Sequence, residues 1–190
     1  MSLTELLVPT YCQLLERLAD WLAKAEAART DHDAEGLISA RLAPDMFPLA
    51  TQVRFACVQA WEGVARLQGA EFPPEVAILL EEGRAAETSP GTIAEARARI
   101  AQTVAMLASL APDALDGDPQ RPIAHALPMG IVFDFTAEQY ARDWALPQFY
   151  FHVMTAYAIL RHAGVNLGKA DYVAHLFAHV RPGTMPHGPG

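Results

Sequence analysis

The chain has 190 residues, of which 52% are hydrophobic and 19% charged, and its formal net charge is -8. This length and apolar content suit one folded domain over residues 1–180, and they exclude disorder for the body of the chain. The negative charge argues against a nucleic-acid partner, no apolar run approaches the roughly 20 residues of a membrane span, and the N-terminus lacks the features of a secretory signal.

Apolar residues that recur at steps of three and four indicate the first two helices. Helix one opens at residues 3–5, and the polar stretch 30–33 breaks its pattern. Asp45 is placed to cap helix two, with Pro48 inside the first turn. Gly69 suits the C-terminal stop of helix two.

A long connection, residues 70–91, separates the second helix from the third and is rich in proline and glycine. Its segment VAILLEE predicts about one helical turn. Thr92 and Glu95 then form the pattern of a capping box, which is typical of a helix start. The apolar spacing carries the third helix to Pro112.

Two short extended segments are predicted before the fourth long helix. The apolar runs 122–127 and 131–135 flank a Pro-Met-Gly turn, which predicts a small hairpin. Thr136, with Gln139 three residues later, is predicted to cap a short helix that continues through Trp144.

The fourth long helix is predicted to start at Pro147 and to end at Gly164. A short C-terminal helix is predicted from Ala170 to His179, and the Pro- and Gly-rich tail 181–190 is predicted to be flexible. Four long helices joined by two long connections indicate an all-α four-helix bundle with crossover connections.

The fourth helix is apolar nearly all round, so protein is expected on both of its sides. His152 lies on the face that is expected to meet the bundle core. The opposite face holds Tyr150, Met154, Tyr157 and Arg161, which are residue types enriched at interfaces. A homodimer contact is one interpretation of that face, and coverage by the hairpin and the last helix is the other.

Two cysteines, Cys12 and Cys57, lie in apolar, helix-like surroundings. Two isolated cysteines fit a reduced compartment better than a disulfide framework. We therefore expect a cytoplasmic protein.

The stretches LAPDMFPLATQ, residues 42–52, and PQFYFHVMTAYAILRHAGVNLGKADYV, residues 147–173, resemble a bacterial family of unknown function. That family belongs to the DinB-like (damage-inducible protein B, YfiT-like) superfamily. The resemblance implies an up-down-down-up four-helix bundle that is usually dimeric. It also implies, for many members, a divalent metal held by one histidine of helix two and two histidines four residues apart on helix four. Some of those members act in thiol-dependent transferase or hydrolase chemistry.

This chain departs from that three-histidine pattern. Helix two contains no histidine, and the residue four positions after His152 is Ala156. Asp45, Gln52 or Tyr11 would have to supply the remaining ligands, because one imidazole does not hold Zn²⁺ or Ni²⁺ alone. No cofactor is therefore expected, and a Zn²⁺ or Ni²⁺ site at His152 is the alternative.

A second histidine pair, His175 and His179, lies in the segment HLFAH with the i, i+4 spacing of one helical face. Such a pair can hold a metal ion. The alternative is that both histidines interact with the C-terminal end of the helix dipole.

The residues leave three classes of function open, of which the weakest is a scaffold for a protein partner. One is a binding protein in which a small ligand lies near His152, and His152 itself is then a hydrogen-bonded core residue. The other is a metal-dependent enzyme with thiol-linked chemistry centred on His152. The candidate ligand-pocket residues are Tyr11, Asp45, Gln52, Trp61, Tyr150 and His152.

Overall fold

The computed structural model describes residues 1–28 and 36–184. The predicted break at 30–33 and the last six residues of the predicted tail lie outside these ranges. The helices are α1 (Leu3–Ala27), α2 (Leu49–Gln68), α3 (Pro74–Ala85), α4 (Ile93–Ala108), α5 (Ala137–Gln139), α6 (Leu146–His162) and α7 (Lys169–Tyr172). The strands are β1 (Pro122–Ala126) and β2 (Val132–Thr136). A π-helical segment (Tyr140–Ala145) joins α5 to α6, and a 3₁₀ segment (Ala174–His179) follows α7.

Helices α1, α2, α4 and α6 surround one apolar core. Both α1 and α2 pack against α4 and α6, and α3 packs along the outside of α2. The predicted all-α four-helix bundle with a hairpin before its last long helix is confirmed. Among the helices of the described ranges, none has both the length and the apolarity to cross a bilayer. The largest side chains of the core are Trp21, Tyr11, Tyr140 and Phe149.

Three predicted helix ends are confirmed. The hydroxyl of Thr92 accepts from the Glu95 N–H at 3.1 Å while the Glu95 carboxylate accepts from the Thr92 N–H at 2.8 Å. Thr136 and Gln139 make the same reciprocal pair of bonds before α5. Gly69 ends α2 with φ of 68°, in the left-handed region that glycine adopts without a steric penalty.

The predicted cap of α2 by Asp45 is wrong. Pro48 is the cap residue, the helix begins one residue later, and no side chain caps it. The N–H of Leu49 instead donates to the carbonyl oxygen of Ala40 at 2.8 Å, and the next N–H along the helix bonds to the carbonyl oxygen of Ile38 at 2.9 Å. The first unpaired N–H groups of α2 are therefore satisfied by the backbone of the preceding loop, which no local pattern shows.

The segment VAILLEE belongs to a helix of 12 residues, not to one helical turn. Pro74 lies in the first turn of α3, where its missing N–H costs nothing. Gly83 packs so closely on α2 that a Cβ there would overlap the ring of Phe55. The hydroxyl of Thr51 also donates to the carbonyl oxygen of Gly83 at 2.7 Å. Contacts with α2 therefore stabilise α3 over 12 residues, although the prolines and glycines around it predicted only one helical turn.

The short helix and the fourth long helix are one continuous helical run instead of two separate helices. The N–H of Leu146 bonds to the carbonyl oxygen of Ala141, five residues earlier, which is the π-helical spacing. Pro147 follows directly and has no N–H to continue the regular i to i−4 ladder. The π-helical segment thus ends where the proline interrupts normal α-helical bonding.

The face of α6 opposite His152 is partly covered by the chain itself. The ring of Tyr157 lies 5.2 Å from that of Trp21 in α1, and Arg161 donates a hydrogen bond to the backbone after α6. Tyr150 and Met154 are each 37% exposed. The first helix and the segment after α6 cover this face, and the hairpin packs on the π-helical segment instead.

Replacing Tyr11 by Phe is expected to leave the free energy of unfolding within about 0.5 kcal/mol of wild type. The Tyr11 side chain is fully buried, and its hydroxyl has no hydrogen-bond partner among the described residues. Thr51→Val is the matched control, because it removes an equally buried hydroxyl that does donate a bond. It should cost about 1 kcal/mol. Urea unfolding followed by circular dichroism measures both, and equal losses would show that the Tyr11 hydroxyl is paired.

Candidate functional site

A hydrogen bond between His152 of α6 and Gln52 of α2 joins two bundle helices. The Nδ1 atom of His152 lies 2.9 Å from Oε1 of Gln52. The Nε2 group of Gln52 donates to the backbone carbonyl oxygen of Phe47 at 3.3 Å, and a carbonyl can only accept. The amide oxygen therefore faces His152, which must carry its proton on Nδ1. The lone pair of His152 then lies on Nε2.

Three phenylalanines surround this pair. The ring of Phe55 meets that of His152 edge-on at 5.4 Å, and the ring of Phe151 does so at 5.3 Å. Phe47 packs against Phe55 at 5.8 Å. Gln52 is 3% exposed, whereas Phe47 and Phe151 are 52% and 57% exposed. We call this set of five residues the His152 recess; its polar pair lies inside and its aromatic rings reach the surface.

The imidazole of His152 is neutral at ordinary pH. Burial lowers the pKa of His152 to about 4. Its Nε2 atom has no hydrogen-bond partner among the described residues. A neutral imidazole in this state can accept a hydrogen bond from a ligand or donate a lone pair to a metal ion. It is a poor general base near neutral pH, where an effective base has a pKa close to the working pH.

The residues around His152 do not fit a three-histidine metal site. The position four residues later is Ala156, which is fully buried, and the facing residue of α2 is Gln52, whose amide oxygen already accepts from His152. Within residues 1–28 and 36–184, no group of three or more histidine, cysteine, aspartate or glutamate side chains is placed to hold a metal ion. We therefore derive no chemical step through a metal at this recess.

The structure does not gather the predicted pocket residues into one pocket. It brings Gln52 and His152 together, but Asp45 is exposed in the loop before α2. Tyr11 lies deeper in the core, with its ring 4.7 Å from that of Phe149. This corrects the predicted membership of the pocket for Asp45 and Tyr11.

Trp61 and Tyr150 also lie away from the recess. Trp61 is nine residues after Gln52, which places it roughly 13 Å farther along α2 and half a turn around it. Its indole N–H donates to the Thr103 hydroxyl of α4 at 3.1 Å. Tyr150 is two residues before His152, so the two side chains point to different sides of α6. Their positions along the helices therefore place Trp61 and Tyr150 away from His152 and Gln52, with which the sequence analysis had grouped them.

The pair His175 and His179 does not share a helical face. Both lie in the 3₁₀ segment, where three residues make a turn and positions i and i+4 are roughly 120° apart. His179 is exposed and His175 is partly buried. The predicted α-helical placement of this pair is therefore wrong.

The sequence interpretation missed the aromatic members of the recess, Phe47, Phe55 and Phe151. Phe55 is three residues after Gln52 and so shares its helical face, a signal that a wheel of α2 would have shown. Phe47 carries no such signal, because it lies before α2 begins and reaches Phe55 through the loop conformation.

Four long helices, a hairpin before the last of them, and a histidine of that helix facing the second helix define a DinB-like bundle. The chain belongs to the family described as Domain of unknown function (DUF1993), which matches residues 3–173. A crystal structure of a DinB family member protein from Shewanella denitrificans is similar, with a TM-score of 0.70 and 34% sequence identity. The match covers 97% of this chain and 96% of that one. No curated protein matches the chain. These findings confirm the predicted resemblance to a DinB-like family of unknown function.

Proposed function

We propose that this DinB-like protein binds a small aromatic or apolar molecule that presents an O–H or N–H group to Nε2 of His152. The observation that carries this proposal is the bond from His152 to Gln52, which fixes the proton on Nδ1 and leaves Nε2 as an acceptor. Phe55 and Phe151 flank that acceptor and offer ring faces and edges to an apolar ligand. Few, precisely placed polar groups within an apolar lining are typical of small-molecule sites.

Phenol and anisole are suitable probes, because they share a ring and only phenol has a hydrogen to donate. Phenol is expected to shift the ring ¹⁵N resonances of His152 with saturation in the millimolar range, where weak complexes of this size fall. Anisole is expected to bind about 3- to 10-fold more weakly, the equivalent of one neutral hydrogen bond.

The His152→Phe variant keeps a ring and removes the acceptor, so it should bind phenol and anisole equally. Its binding is followed through the backbone amide resonances of Gln52 and Phe151, which are recorded for the wild-type protein as well. His162→Gln at an exposed position of α6 is the control for loss of a histidine and should keep the preference. Equal affinities of the two probes for wild-type protein would overturn the proposal. Stoichiometric binding of Zn²⁺ or Ni²⁺ that is lost in the His152→Phe variant would do so as well, and it would favour a metal-dependent enzyme.

The homodimer and the cytoplasmic location stay predictions. Cys12 is partly buried and Cys57 is fully buried, and neither forms a disulfide in the described structure, which supports a reduced compartment. The exposed apolar side chains Tyr150 and Met154 support a contact between two copies on that part of α6.

A further inference from the structure

A cluster of unpaired buried polar atoms lies under the hairpin, on a part of the molecule separate from the His152 recess. Both ring nitrogens of His125, the hydroxyl of Tyr140, Nε1 of Trp144 and Nε of Arg66 have no hydrogen-bond partner among the described residues. His125 is 4% exposed and Tyr140 is fully buried. A buried polar group without a hydrogen-bond partner destabilises the folded state, and such groups are rare, so five of these atoms at one place indicate a missing partner.

These residues come from three elements that meet at one point. His125 is on β1, where the alternation of the strand turns it towards the bundle. Its ring lies 4.2 Å from Trp144 and 5.7 Å from Tyr140, both in the π-helical segment. Arg66 of α2 reaches the same strand, where its terminal nitrogen lies 3.5 Å from the carbonyl oxygen of Ala124. The π-helical segment thus presents two polar groups to one buried place. Short π-helical segments often occur at functional sites.

The outer side of Arg66 lines a cleft of about 350 Å³ between β1 and the end of α2. The cleft also contains Arg121, and none of its lining residues is acidic. Arg121 is held by two bonds to the last carbonyl oxygens of α2, at 2.7 and 2.9 Å, and Arg66 lies 4.8 Å over the ring of Phe72. Neither arginine forms an ion pair among the described residues. Two arginines held in place without a carboxylate partner are unusual in a chain with an excess of acidic residues.

The balance of donors and acceptors indicates the ligand. Arg66 and Trp144 can only donate, while Tyr140 and His125 can each donate one hydrogen. Glu62, one turn before Arg66, is an acidic group whose charge acts on Tyr140, and burial raises the pKa of Glu62 while Arg66 and Arg84 oppose that rise. The available groups therefore favour a negatively charged acceptor, and a carboxylate suits the fork of an arginine.

We propose that the hairpin covers a second binding site, for a small carboxylate that meets Arg66 and Arg121 in the cleft and Tyr140, Trp144 and His125 beneath it. The site is independent of the His152 recess, because it involves different residues on different elements.

The NMR resonances of the three indole N–H groups of the protein can report binding of a carboxylate. Trp21 and Trp61 each donate to a protein oxygen, whereas the indole N–H of Trp144 has no partner among residues 1–28 and 36–184. Sodium acetate, titrated against sodium chloride at constant ionic strength, is expected to shift the Trp144 indole resonance with saturation and to leave the other two unchanged. Trp144→Phe identifies the resonance. Inorganic phosphate is titrated in parallel.

Arg66→Gln is expected to weaken acetate binding at least about 10-fold, as the loss of a charge-assisted bond implies. Arg84→Gln removes the same charge from an exposed position and should change the affinity by less than about 2-fold. Tyr140→Phe leaves the fold intact, because the hydroxyl has no partner, yet should weaken binding about 3-fold. An unsaturable shift, an equal affinity in the Arg66→Gln variant, or binding of phosphate without acetate would each overturn the proposal.

Discussion

Replacing Glu82 by Gln is expected to destabilise the fold by about 3 kcal/mol. Glu82 of α3 bonds to Arg54 of α2 at 3.3 Å and to Arg99 of α4, so its carboxylate holds three helices together. The Arg54 side chain is 5% exposed and would keep its buried charge without a carboxylate, with a bond to the carbonyl oxygen of Ala50 at 3.3 Å remaining. Burial by itself raises the pKa of Glu82, but the hydrogen bonds and charges of Arg99 and Arg54 outweigh it and hold that pKa below its ordinary value. The carboxylate is therefore charged at neutral pH.

Glu87→Gln is the matched control for this prediction. Its carboxylate pairs with Arg41 at 3.1 Å, but it is 70% exposed, so the loss should stay below about 1 kcal/mol. Urea unfolding followed by tryptophan fluorescence compares the two variants. The double variant Arg54→Met with Glu82→Leu should recover much of the lost stability, because apolar replacements of a buried ion pair are often neutral. A Glu82→Gln variant as stable as Glu87→Gln would show that Arg54 reaches water in the folded protein.

The sequence predicted those elements of the fold whose signals are local. The reciprocal caps at Thr92 and Thr136 and the left-handed stop at Gly69 depend on residues within three positions, and all three are confirmed. Two of the wrong predictions, the cap of α2 and the length of α3, involve distant partners. The cap of α2 comes from the loop backbone at residues 38–40, and the length of α3 depends on Gly83 packing against Phe55.

The candidate site follows the same rule. His152 was evident from the sequence because it interrupts an apolar stretch. Gln52 was one of three residues that could replace the missing ligands of the family pattern, and its spacing did not distinguish it from Asp45 or Tyr11. Their contact joins residues 100 positions apart. The cluster under the hairpin gave no signal, because His125 was one residue of a short strand. Its importance lies in its ring nitrogens, which have no partner among the described residues, and only the folded structure shows this.

Acidification from pH 7 to pH 5 is expected to lower the free energy of unfolding by about 4 kcal/mol, about half from each of His152 and His125. Burial lowers the pKa of both imidazoles to about 4, and the charge of Arg66 adds to this effect at His125. An unfolded histidine titrates near pH 6.5, so between that pH and pH 4 the unfolded chain binds more protons. Stability therefore rises with pH across this window and falls as acid is added.

Urea unfolding at pH 7, 6 and 5 tests this, because carboxylates of the unfolded chain titrate mainly below pH 5. The buffer must contain no carboxylate, since one could occupy the cleft at Arg66. His152→Gln should remove about half of the pH dependence and His125→Phe the other half, whereas His162→Gln should leave it unchanged. The two histidines lie at separate sites, so their effects should add. A flat profile in wild-type protein would mean that both imidazoles have the same pKa in the folded protein as in the unfolded chain. That result would contradict neutral, buried imidazoles at both sites.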